Sequence, residues 1–202
     1  MRIERESNSI PDKLRRLAGE ESWADILFRS RRLVPLKVRA EEIDFTRAEV
    51  FIADINKKTK GAFAGFTVEH LIYVLYDDFL LHVRENLSEV RVDESTVTME
   101  DAVMSLSSRR KLYFPRVKKH EIAENSNAPK QWAFLEVRLK REMAQRGEIF
   151  LYDASTVFPK FEMTLEELLS ILLCDFVAQL RRGNQKQLVS SILDKFYSHD
   201  FD

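Results

Sequence analysis

The chain has 202 residues, 45% of them hydrophobic and 32% charged, with a formal net charge of −1, five glycines and one cysteine. Average usage would place glycine at ~7%, about fourteen in a chain of this length. The five present (Gly19, Gly61, Gly65, Gly147, Gly183) are never closer than four apart, which argues against clustered nucleotide cradles of the Rossmann, P-loop or kinase type, while 14 phenylalanines exclude disorder and a lone Cys174 excludes a disulfide scaffold.

Taken in chain order, residues 1–20 read as a loose tail with a short helix over 11–18. The N-terminus has no apolar core of the kind a signal peptide needs. A first unit is expected over 21–114. Within it, residues 35–47 are read as helix, although the alternation Leu36, Val38, Ala40 also fits a strand. A short strand is expected at 49–54, then a loop, then a long helix capped by Thr67 with Glu69 in its first turn. A further helix is expected over 98–106.

Residues 115–128, with Lys118-Lys119-His120 and Asn125-Ser126-Asn127, read as the linker. The second unit spans 129–202. Pro129 suits a first helical turn, Trp132, Leu135, Leu139 and Met143 recur at helical spacing, and Gly147 suits the cap. A strand at 148–153, a long helix from Thr164 and a closing helix at 185–196 complete it. The apolar runs 71–76 and 168–174 are broken by Asp77, Asp78 and Asp175, far short of the ~20 residues that span a bilayer. A cytoplasmic protein with no membrane role is expected.

The two units resemble each other. Residues 67–86 laid over 164–183 agree at seven of twenty positions: Thr67/Thr164, Glu69/Glu166, Leu71/Leu168, Leu75/Leu172, Asp78/Asp175, Phe79/Phe176 and Arg84/Arg181. Residues 36–54 over 135–153 agree at seven of nineteen, including Arg39/Arg138, Phe51/Phe150 and Asp54/Asp153. The offset is 99 before the intervening loop and 97 after it. The expected fold is therefore mainly α with short β-strands (α+β), as two related helix-strand-helix units in tandem. That order of elements is also the order in a winged-helix domain.

Chemistry is sparse. His70 with Asp77, and Asp78 with His82, share helix faces, but the second unit has Glu167, Cys174 and Gln179 at the matching positions, so no metal site is expected. There is no Gly-x-Ser-x-Gly elbow, Cys174 lies among leucines, and no Asp-x-Lys or Glu-x-Lys tripeptide occurs. No enzyme and no cofactor are expected. Asp78 and Asp175 fall on the apolar side of their helices, where a carboxylate must be paired. They are candidates for structural salt bridges or interface carboxylates, with Arg39/Arg138 or Arg84/Arg181 as recurring partners.

Charge is unevenly placed. Residues 69–101 hold nine acids against Arg84 and Arg91, and residues 104–147 hold eleven cations against four glutamates. Arg109, Arg110, Lys111, Arg116, Lys118 and Lys119 interleave with Tyr113 and Phe114, a composition that suits phosphates and stacked bases and equally a solvated linker. The leading expectation is a non-enzymatic interaction or regulatory protein, with a protein partner or self-association. The alternative is a nucleic-acid-binding protein using 109–119 with Arg138, Lys140 and Arg141.

Overall fold

The computed structural model describes residues 33–86, 99–114 and 131–183, together with 189, 190 and 192. The expected tail 1–20, the linker 115–128 and most of the closing helix 185–196 lie outside the described residues. Within them the protein is mixed α+β and mostly helical: β1 (Leu33–Glu41), α1 (Glu42–Lys58), α2 (Val68–Asn86), α3 (Met99–Tyr113), β2 (Trp132–Lys140), α4 (Arg141–Val157) and α5 (Leu165–Arg181). No described helix is long and apolar enough to cross a membrane.

The order within each half differs from the sequence-based expectation. Residues 35–47 and 129–146, read as helices, supply β1 and β2 followed at once by the first turns of α1 and α4. Residues 49–54 and 148–153, read as strands, lie inside those helices. Each half thus begins strand–helix–helix rather than helix–strand–helix, with α3 following in the first.

The reason is a genuine conflict of periods. Trp132, Leu135, Leu139 and Met143 fit helical spacing, but Leu135, Val137 and Leu139 also alternate. Pairing with β1 decides the matter by burying Val137 and Leu139 to 1% and 0% exposure. In α1, Ala48, Phe51, Ile52 and Ile55 recur at the spacing of one helical face, and all four are buried. Glu42 and Asp44 in its first turn and Lys57 and Lys58 in its last complement the helix dipole.

The strands form a two-stranded antiparallel ribbon from Leu33 opposite Lys140 to Glu41 opposite Trp132. Its centre is Lys37 opposite Glu136. A lone two-stranded ribbon is marginal in water, and this one is held by helices on one face. The second helix of each half packs on the strand of the other: α5 on β1 and α2 on β2. The Lys37 amide donates to Glu166 Oε1 at 3.0 Å, and the Arg39 amide to Ser170 Oγ at 2.9 Å. One hydrophobic cluster draws on all seven elements.

The burial pattern recurs at the offsets of the sequence match. Ala48, Phe51, Ile52 and Ile55 of α1 correspond to Gly147, Phe150, Leu151 and Ala154 of α4, all buried. Val68, Leu71, Ile72, Val74, Tyr76 and Leu80 of α2 correspond to Leu165, Leu168, Leu169, Ile171, Leu173 and Val177 of α5, again all buried. Phe51 meets Phe176 edge-on at 5.1 Å and 76°, and the corresponding pair, Phe150 and Phe79, meets at 5.4 Å and 77°.

Candidate nucleic-acid interface on the ribbon

Strand alternation gives the ribbon two unlike faces. The inner face sets Val34, Val38, Ala40, Val137 and Leu139 into the core. The outer face carries Leu33, Pro35, Lys37, Arg39 and Glu41 from β1, and Trp132, Phe134, Glu136, Arg138 and Lys140 from β2. Four cations and two carboxylates therefore share one surface. Lys37, Glu136, Arg138 and Lys140 are all exposed. Phe134 is 65% exposed and Leu33 53%.

Arg39 is held rather than free to swing. Its guanidinium carbon lies 4.1 Å from the Trp132 ring centroid and 5.6 Å from that of Phe114. Such stacking orients a guanidinium through the ring quadrupole. Its Nε is buried and has no hydrogen-bond partner. Arg138 reaches Glu136 on the same strand at 3.3 Å, with both side chains more than half exposed, so water screens that pair heavily. Arg141, at the first position of α4, is half-buried.

The basic segment seen in the sequence is placed differently. Residues 109–113 end α3 rather than lying in a linker. Arg109 binds Asp175 at 2.7 Å, and Arg110 binds Glu167 at 2.7 Å and also donates to the Glu162 carbonyl. These guanidiniums fasten α3 onto α5. Lys111 is exposed, and Arg116, Lys118 and Lys119 lie outside the described residues.

Asp175 is half-buried on α5, and the Tyr113 hydroxyl donates to it at 2.6 Å beside Arg109. Its partners are residues of α3, not the recurring Arg138 or Arg181. Burial first, and the bond to Asp175 second, push the Tyr113 hydroxyl above its ordinary pKa. Asp78, at the matching position of α2, is exposed. The difference is one of cover: α3 packs on α5 over Asp175.

His70, which shares a helix face with Asp77, serves the start of α2. Its Nδ1 lies 2.8 Å from the Thr67 hydroxyl and accepts from the Thr67 amide at 3.2 Å. Among the described residues, no group of three or more His, Cys, Asp or Glu is placed to hold a metal ion. Cys174 is buried.

Lys37 was missed by the sequence reading, and Arg39 was noted there only as a partner for aspartate. The signal was present: reading Leu36, Val38 and Ala40 as the inner face of a strand puts Lys37 and Arg39 on the outer one. No family model, curated protein or solved structure matches the chain.

Proposed function

We propose that the chain is a non-enzymatic, cytoplasmic regulatory protein built by internal duplication of a strand–helix–helix unit, and that the outer face of its ribbon binds duplex DNA. The duplication is supported by matched offsets, matched burial and a ribbon centred on corresponding residues, Lys37 and Glu136. The DNA reading rests on one observation: Lys37, Arg138 and Lys140 are exposed on one side of a paired ribbon, a side they share with the half-buried Arg39. A two-stranded ribbon fits the major groove of B-DNA, about 12 Å wide, whereas the deep, narrow major groove of A-form RNA does not admit one. Nine residues of strand span about 30 Å, close to one turn of the duplex.

The test is binding to a mixed-sequence DNA duplex across a salt series. Affinity should fall steeply with salt, and Lys140→Ala should lower the logarithmic slope by about 1 if it meets a phosphate. Double-stranded RNA should compete poorly. Failure of Lys37→Ala, Arg138→Ala and Lys140→Ala together to weaken binding sinks the ribbon as the interface.

The exposed Phe134 and Leu33 favour a second reading, a protein partner or self-association at the same face. That reading expects a salt-insensitive dimer in solution that Phe134→Ser abolishes, with no retention on DNA.

A further inference from the structure

The burial pattern under the ribbon recurs in both halves of the chain, but the face the ribbon presents does not repeat. We infer, resting on the DNA reading above, that one chain of this protein reads a non-palindromic duplex site. A half-turn about the ribbon centre carries each outward residue onto its counterpart 99 positions along. Lys37 lands on Glu136, Pro35 on Phe134, Leu33 on Trp132 and Glu41 on Lys140. Only Arg39 lands on its own kind, Arg138, and even these differ in setting. Arg39 is stacked on Trp132, while Arg138 is exposed beside Glu136.

A homodimeric reader meets a palindrome because identical side chains meet identical base edges twice. Here the halves differ in charge and shape, so a palindrome would satisfy one half and mismatch the other. The centre shows this most plainly. Lysine suits the O6 and N7 acceptors of guanine, and glutamate accepts from the cytosine amino group. Lys37 and Glu136, directly opposite on the face, match the two bases of one G·C pair in one orientation only. Off centre, Phe134 offers an apolar surface to a thymine methyl, and Pro35, its counterpart, offers a much smaller one. The two halves are already joined in one chain, so the ribbon is complete without a second copy.

The experiment is selection of duplexes from a random-sequence pool by the full-length chain, with the mass of the complex measured on the selected duplex. The expected result is a consensus that is not self-complementary, bound by one chain. Reversing its central G·C pair should weaken binding by about 10-fold. The exchange Lys37→Glu with Glu136→Lys, checked for an unchanged melting temperature, should invert that central preference and leave the flanks alone. A palindromic consensus, two chains per duplex, or DNA binding without sequence preference overturns this inference while leaving the DNA reading intact. No duplex binding at all removes the DNA reading itself.

Discussion

Gly147 and Tyr76 show how one residue answers another across the two halves. Scarce glycine in a helical chain suggests caps, and Gly147 was expected to be one. It instead lies inside α4, buried, where an added Cβ would overlap the Tyr76 hydroxyl. That hydroxyl donates to the Met143 carbonyl at 2.9 Å. The corresponding residues are Leu173 and Ala48, both at 0% exposure, so the large residue meets glycine in one place and the smaller residue has alanine as its counterpart in the other. Gly147→Ala alone should cost about 1–3 kcal/mol by overpacking. Tyr76→Leu alone should cost about 2–4 kcal/mol through lost contacts and a cavity. The double variant, which copies Leu173 and Ala48, should cost at least ~1 kcal/mol less than the sum in denaturant unfolding. Simple additivity would show that the two sites do not share space.

Tyr76 also sets an alkaline limit. Burial raises its pKa above the ordinary value near 10. The folded state then keeps a proton that the unfolded state sheds. This contribution is fully present below about pH 10 and is lost as pH rises beyond it, at about 1.4 kcal/mol per pH unit. Tyr113 acts in the same direction. Denaturant midpoints of the native chain should fall above pH 10. Those of Tyr76→Phe should start lower, by the lost hydrogen bond, and fall less steeply. Parallel curves would mean that Tyr76 ionises freely.

Among elements, the starts of α2 and α5 share one bond, a side chain three residues on that accepts from the threonine amide, made by different residues. Thr164 accepts from the Glu167 amide at 3.2 Å, and Glu167 accepts from the Thr164 amide at 3.1 Å, a complete capping box. At α2 the return bond comes from His70. Glu167 does a second task by holding Arg110 of α3. Thr164→Ala should therefore cost about 1 kcal/mol and leave α3 in place. Glu167→Ala should cost somewhat more, the half-exposed ion pair adding up to about 1 kcal/mol, and should also speed amide exchange across residues 106–113. Equal exchange in both variants would show that Arg110 does not anchor α3.

This is also the scale at which the sequence was hardest to read. The long helices α2 and α5 and their threonine starts were legible, because an apolar stripe over seventeen or more residues admits only one period. Nine-residue strands next to seventeen-residue helices were not. Over nine residues, spacings of two and three and a half overlap, and the strand–helix junction at Glu41–Glu42 has no side-chain cap to mark it. The boundary thus slid by several residues, turning strands into helices and helices into strands. The ribbon face was lost with it, since outward residues are defined only once the period is known.

For the whole molecule, the decisive feature is interleaving. Each half contributes a strand to the other's ribbon and a helix to the other's strand. In this arrangement the apolar faces of the two halves pack against one another in a single cluster. At the ribbon centre, Lys37 faces Glu136. Two copies of the first half would set lysine against lysine there, and two copies of the second would set glutamate against glutamate. Opposite charges across an antiparallel pair favour the mixed arrangement by a few tenths to about 1 kcal/mol. A protease site introduced within 115–128 and cut should leave the fragments bound one to one, with little change in circular dichroism. Each fragment purified alone should unfold or self-associate weakly, and recombining them should restore the native spectrum. Independent folding of either fragment would contradict the interleaved core.

The amino-acid sequence by itself marked the mostly helical class and the residues that match at offsets of 99 and 97. These are properties of pattern, and pattern survives without coordinates. Tertiary structure alone decided which short segments became strands, that Arg109 and Arg110 are tied to Asp175 and Glu167, and that Lys37 and Arg39 join Arg138 and Lys140 on one face. The physical reason is that a strand has no hydrogen bonds of its own to declare it. Its state, and therefore the direction of every side chain on it, is set by a partner about a hundred residues away.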